Sequence, residues 1–284
     1  MKITECPRDA MQGIKQMIPS ELKAEYINQL LKVGFDTIDF GSFVSPKAIP
    51  QMQDTAEVLK KLDLSGTRSK LLGIIANTRG AEDACQFDEI TYLGFPFSIS
   101  ETFQQRNTNS SISESLTRVE EIQSLCLKHN KQMVVYISMA FGNPYGDEWN
   151  SDIVIKWTKK LSEMGIKIIA LADTIGCSTP ENISYLFSHI IPEFKDVEIG
   201  AHLHSTRDKA MEKIEASWKS GCRSFDVAVH GFGGCPMAKD DLTGNMATED
   251  LEAYASKNSI KLSLDAAELT KAYELSWKIF NNYH

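Results

Sequence analysis

The chain has 284 residues, 42% hydrophobic and 24% charged, with a formal net charge of −8. That is enough apolar material for a large buried core in one big domain or two medium ones. The acidic balance argues against generic affinity for nucleic acid or anionic membranes, and no stretch approaches the roughly 20 apolar residues of a membrane span.

In chain order, apolar β-type runs alternate with amphipathic helical segments. Ile3–Glu5 is the first short strand, and a helix runs from Ser20, a plausible N-cap, to Gly34. Strand Thr37–Phe40 precedes a helix around Thr55–Leu62. Leu71–Ile75 is followed by a short helix at Ala81–Cys85, and Glu89–Leu93 by a helix over Ser113–His129. Met133–Ser138 leads to helix Ser151–Met164, and Lys167–Ala172 to a helix opened by Pro180, a favoured first-turn residue. Val197–His202 precedes helix Asp208–Ser220, and Phe225–Val229 precedes helix Thr248–Ser256. Ser263–Asn281 reads as one more long amphipathic helix.

Eight near-continuously apolar strands, each followed by a helix, are the pattern of a parallel sheet covered on both faces. The expectation is α/β, a closed (β/α)8 TIM barrel forming one domain over 1–284, with residues 263–284 a C-terminal helical appendage. An open doubly wound sheet is the competitor, but no G-x-G-x-x-G follows the first strand. The opening Met1-Lys-Ile-Thr-Glu5 has no apolar signal region. The six scattered cysteines contain no C-x-x-C, so the expectation is reduced thiols in a cytoplasmic protein.

Barrel chemistry sits where strands end, and the residues at those positions are unusual. His202 and His204 are two apart on one strand and point the same way, as in half of a metal site or an ordinary polar strand end. With the Asp9 carboxylate and the Asn245 amide oxygen they form an N/O set suited to Mg²⁺ or Mn²⁺. Asp9 is equally readable as a cap and Asn245, after Gly244, as turn chemistry. Arg8 could hold an oxygen that becomes negative during reaction. Asp39 and Asp173 could orient ligands or charged partners, or sit solvated at strand ends. Cys235, in a glycine-rich loop, could exchange a proton or be a small buried residue. His129, His189, His230 and His284 have no evident partners and receive no role.

These residues also recur together. Pro7-Arg-Asp-Ala-Met-Gln12, Ser42-Phe-Val-Ser-Pro-Lys47 with Pro50-Gln-Met52, Asp173-Thr-Ile-Gly176, His202-x-His204, Gly233-Gly-Cys-Pro236 and Gly244-Asn-Met-Ala-Thr-Glu-Asp250 stand in this order. The set resembles the 3-hydroxy-3-methylglutaryl-CoA lyases over nearly the whole chain, most specifically in the last two motifs. The resemblance implies a divalent metal on Asp9, His202, His204 and Asn245, and Arg8 at the enolate oxygen of the leaving acetyl-CoA. It implies a proton-transfer role for His202, a thiol of Cys235 reaching over the substrate, and Asp173, Gln12, Asp39 and Ser42 as polar groups near an acyl-CoA. The implied reaction, of leucine-degradation and ketone-body type, cleaves hydroxymethylglutaryl-CoA to acetoacetate and acetyl-CoA in a homodimer. Lys15 and Lys47 are basic candidates for the CoA phosphates. The chain departs from the family at Asp39, Ser205 and Ala170, where Glu, Asp and Ser are usual. The alternatives are a related lyase, aldolase or acyl-CoA-condensing synthase with another 3-hydroxyacyl substrate, and a non-catalytic acyl-CoA-binding barrel.

Overall fold

The computed structural model describes residues 1–234 and 243–283; Cys235 and Pro236 lie outside the described residues. Eight parallel strands close into a barrel in sequence order: β1 (Lys2–Glu5), β2 (Thr37–Ser42), β3 (Lys70–Ile74), β4 (Ile90–Ser98), β5 (Gln132–Ser138), β6 (Ile168–Asp173), β7 (Glu198–Leu203) and β8 (Ser224–Val227), with β8 pairing back onto β1. The α/β barrel expected from the strand and helix alternation is therefore the fold, C-terminal helix included.

Helices α1 (Pro7–Gln12), α2 (Ser20–Val33), α3 (Thr55–Leu59), α4 (Thr78–Ala84), α5 (Glu101–Thr108), α6 (Ile112–Lys128), α7 (Ser151–Glu163), α8 (Pro180–Glu193), α9 (Arg207–Lys219), α10 (Thr248–Lys257) and α11 (Ala266–Asn282) surround it. None among the described residues is long and apolar enough to cross a membrane. Two of them carry no signal of the usual kind. Helix α1 has six residues, all but the last buried, too short for any 3.6-residue periodicity to emerge. Helix α5, Glu-Thr-Phe-Gln-Gln-Arg-Asn-Thr, buries only Phe103 and Gln104 and starts because the Ser100 side chain accepts from Phe103 N–H.

Strand β4 runs to Ser98, five residues past the expected Leu93, because Gly94 and Pro96 interrupt its apolar run without ending it. Gly94 leaves room inside the barrel: a Cβ would lie 2.5 Å from Ile74 Cδ1 and 3.1 Å from Leu72 Cδ2, so those side chains would have to shift. The main core fills the layer between sheet and helices, where Phe97 packs on Trp157 with ring centroids 5.3 Å apart. Burying one such aromatic is worth about 2–3 kcal/mol. Helix α11 starts at Ala266 rather than Ser263, since Asp265 caps it by accepting from Ala267 and Glu268 N–H. It lies along α2, where Gln29 donates to the carbonyl and carboxylate of Glu268 at 2.8 Å.

Candidate active site

A cleft with an empty volume of about 920 Å³ opens at the C-terminal ends of the strands, lined by Arg8, Asp9, Gln12, His202 and His204 among others. Strand β7 and the residue that follows it send both imidazoles to the cleft from alternate positions, His202 and His204. The Nδ1 of His204 faces the Thr243 carbonyl at 3.0 Å, and that of His202 faces Asp226 Oδ2 at 3.1 Å. Both partners are acceptors, so both Nδ1 atoms carry the proton. The two Nε2 atoms then present bare lone pairs to each other across 3.4 Å, with an Asp9 oxygen in the same cluster. With both rings neutral at Nε2, two lone pairs and a carboxylate converge into a donor set that fits a divalent cation.

The electrostatics divide the two rings: His204 is held neutral, while His202 keeps a proton more readily until an ion takes its Nε2. Burial and the neighbouring His202 push His204 down to about 4, leaving it a neutral ligand. His202 is also lowered by burial, but Asp226 outweighs this and raises it. Burial alone would raise Asp9, yet Arg8, His202 and His204 hold it down to about 2. Its Oδ1 accepts from Arg8 Nη1 (2.9 Å) and Gln12 Nε2 (2.6 Å), and its Oδ2 from Asn245 Nδ2 (2.8 Å). With about two lone pairs per oxygen, one acceptor direction on Oδ2 is left for an ion.

Helix α1 brings Arg8 beside Asp9 and aims it across at β2. Its Nε lies 3.0–3.1 Å from the two Asp39 oxygens and Nη2 lies 2.5 Å from Oδ2. Burial works against the Arg8 charge, but Asp39 and Asp9 raise its pKa above the ordinary value. Burial pushes Asp39 up to about 6 against the pull of Arg8. Of the five guanidinium hydrogens, three are committed to these carboxylates, so two remain for a substrate oxygen.

Several expected site residues sit elsewhere or face differently. Asp39 is expected near the substrate or orienting a charged partner, and it does the second, its carboxylate held by Arg8. Asp173 does not line the cleft although Ala172 and Thr174 do. Strand alternation turns it outward, where it accepts from Lys213 Nζ (2.9 Å) and from Ser178. Ser42 is buried beneath the cleft wall, its Oγ accepting from the N–H of Val44, which lines the cleft, at 3.2 Å. Asn245 reaches the site across an antiparallel bridge to His204. It presents its amide nitrogen to Asp9, because the same NH₂ also donates to the Phe232 carbonyl at 2.9 Å. Cys235 lies outside the described residues.

Three functional candidates escape the sequence reading. Asp226 orients His202, and its only trace is an acid between Phe225 and Val227 in an apolar strand. Lys213, on α9, is 1% exposed and joins Asp173 to the His204 carbonyl. His230, given no role above, has hydrogen-bond partners on both ring nitrogens.

Comparison with known proteins points in one direction. The HMGL-like family model matches residues 3–275. A relative in Rattus norvegicus, "3-hydroxy-3-methylglutaryl-CoA lyase, cytoplasmic", is 34% identical over 99% of this chain and 81% of its own. Among solved structures, the HMG-CoA lyase of Bacillus subtilis superposes with a TM-score of 0.91 at 32% identity, covering 99% of this chain and 93% of that one. An HMG-CoA lyase from "Acenitobacter baumannii", solved with coenzyme A and 3-methylmalate, gives 0.91 at 29% identity, with 99% and 91% covered.

Proposed function

The chain belongs to the HMGL-like family, and from that premise we propose that it is a divalent-metal-dependent carbon–carbon lyase that cleaves 3-hydroxy-3-methylglutaryl-CoA into acetoacetate and acetyl-CoA. The observation that carries this reading is the pair of Nε2 lone pairs facing each other beside Asp9, on the wall of a cleft that Arg8 also lines. Asp9, His202 and His204 are the residues that would hold Mg²⁺ or Mn²⁺, and such an ion supplies Lewis acidity to the substrate hydroxyl. Asn245 joins them only with its amide turned from the orientation described above.

The two free N–H groups of Arg8 would hold the thioester oxygen as it takes on enolate charge. Asp39 and Asp9 fix that guanidinium in advance, so no reorganisation is needed as charge develops. His202 carries a constraint. Its Nδ1 is committed to Asp226, so Nε2 serves either the ion or a proton, one partner at a time. Gln12 tethers Asp9. The wall formed by Val44, Ile49, Ile74 and Phe103 excludes water from the acyl group. We read residues 1–284 as one catalytic domain working as a homodimer on an acyl-CoA. Its phosphates would meet Lys15 or Lys47, and Cys235 would reach over the substrate.

The test is acetoacetate release from hydroxymethylglutaryl-CoA by the purified protein, with Mg²⁺ or Mn²⁺ and after chelation. Cleavage should require the ion and fall by about 10²–10³ in Arg8→Gln. A protein that binds Mn²⁺ but leaves this thioester intact would overturn the substrate assignment and turn attention to other 3-hydroxyacyl thioesters, where Asp39, Ala170 and Ser205 mark the chain off.

A further inference from the structure

His230 occupies the short 3-10 turn Val229–Gly231 that follows β8, at the root of the connection leading to Asn245 and α10. Its backbone has φ = 62°, a left-handed conformation rare outside glycine. The strain is held by its own contacts. The main-chain N–H donates to Glu249 Oε2 at 3.0 Å, and the carbonyl accepts from Arg207 Nη2 at 3.3 Å. The ring is 2.5 Å from Glu249 Oε1 through Nδ1 and 3.1 Å from the Tyr273 carbonyl through Nε2. A carbonyl only accepts, and Glu249 is held below its ordinary pKa despite burial, in part by His230 itself. A neutral imidazole has one N–H, so satisfying both acceptors requires the imidazolium. The ring also lies 4.7 Å from the Trp277 ring at 33°, an arrangement that favours a cation.

The turn leads directly into the site. The Phe232 carbonyl accepts from Asn245 Nδ2, while the Phe232 ring stacks on Phe280 of α11 at 4.3 Å. At Gly233 a Cβ would lie 2.8 Å from the Asp9 carbonyl, so this backbone rests on the segment that carries Arg8 and Asp9. We propose that His230, as an imidazolium bridging Glu249 of α10 and the Tyr273 carbonyl of α11, is a positioning residue that keeps this backbone seated against Asp9 and Asn245, and that the site loosens when His230 loses its proton.

The groups facing it are Glu249 from α10, Arg207 from α9 with its partner Asp250, and Tyr273 from α11, whose hydroxyl donates to Glu252. Glu5 of β1 accepts from the adjacent Val229 N–H and titrates on the same alkaline side, so the transition assigned to His230 is the part that His230→Gln removes. Burial lowers the His230 pKa, but Glu249 and the Tyr273 carbonyl outweigh it, leaving a net rise above 6.5. A histidine with a raised folded pKa contributes stability that is complete below the unfolded value and lost as pH rises through the folded one. The loosening therefore belongs to the alkaline side.

Trp277 gives a direct readout, because an imidazolium quenches an adjacent indole. Its emission, taken as the difference between wild type and Trp277→Phe, should brighten on raising the pH, with a midpoint above 6.5. Absence of that transition, or a midpoint at or below this value, overturns the proposal. His230→Gln should lower kcat about threefold to tenfold and flatten the kcat profile through the same midpoint, while KM moves less. A His230→Gln enzyme with the wild-type profile overturns it. Should that variant not fold, the wild-type midpoints of Trp277 emission and kcat must coincide, and separate midpoints overturn it. The kinetic arm rests on the lyase reading. A wild type inactive on hydroxymethylglutaryl-CoA counts against that reading alone, and Mn²⁺ affinity then decides: it should weaken severalfold above the Trp277 midpoint, and an unchanged affinity overturns the role of His230.

Discussion

Each mouth of the barrel opens into a cleft, one at the C-terminal and one at the N-terminal end. Their chemistry differs. The upper end gathers charges that are buried and ion-paired: Arg8 and Asp39 have side chains 8% and 1% exposed, and Lys213 and Asp173 1% and 0%. The lower end has Thr4, Ala170, Gly200 and Ser224 where larger residues would fill a barrel layer, and its rim pair Lys2–Glu198 is 60% and 29% exposed. Empty volume alone does not make a site. Desolvated charge does, because fixed dipoles and ions act strongly only where water is excluded. Such charge is stabilising only while every partner is present.

Lys213 provides the sharpest way to break this contrast. Its three ammonium hydrogens meet three acceptors: Asp173 Oδ2 at 2.9 Å, the His204 carbonyl at 2.9 Å and the Gly176 carbonyl at 3.1 Å. Lys213→Met should cost about 3–5 kcal/mol in urea unfolding, since it leaves the Asp173 carboxylate buried without its cation. Adding Asp173→Asn should recover much of that loss, because the offending charge is then gone. A Lys213→Met protein within about 1 kcal/mol of wild type would mean that this end tolerates an unpaired carboxylate, and the contrast would fail.

Glu5 tests the same end through pH. It is fully buried at the top of β1, accepting from Val229 N–H (2.8 Å) and Thr248 Oγ1 (2.7 Å), so it ties β1 to the segment after β8. Burial raises its pKa from 4.5 to about 8, against the pull of those hydrogen bonds. Between these values the folded protein holds a proton that the unfolded chain releases, so stability falls as pH rises through this window. The expected loss is about 2 kcal/mol between roughly pH 6 and 8. Glu5→Gln should remove that share of the pH dependence in urea midpoints. An identical slope in the variant would show that Glu5 is already ionised in the fold.

How far the sequence discloses these features depends on whether the signal is local. The eight strands are readable because short β-type runs, most of them apolar, recur at βα spacing. The two imidazoles are readable because a separation of two residues forces one face. Asp173 shows the limit, since lying near a strand end does not say which way a side chain points, and it turns from the cleft to Lys213. Lys213 and His230 lie beyond local pattern, their decisive partners being 40 and 43 residues away. The orientation of the Asn245 amide is set by the Phe232 carbonyl, a main-chain group that no side-chain motif specifies.

The lower mouth supplies the smallest expected effect. Lys2 and Glu198 make a close ion pair joining β1 to β7 across the open rim, and Glu198 is the main reason the Lys2 pKa is raised. Contact alone would suggest a strong interaction. Water surrounds most of the ammonium, however, so attraction is offset by the hydration given up and by the cost of ordering two long side chains. Screening over about 10 Å at 0.1 M salt weakens it further. Lys2→Met should therefore shift the urea unfolding free energy by less than about 1 kcal/mol, with a difference that shrinks as salt is added, and leave kcat unchanged. A loss as large as that at Lys213 would place functional charge at both ends of the barrel and remove the distinction between them.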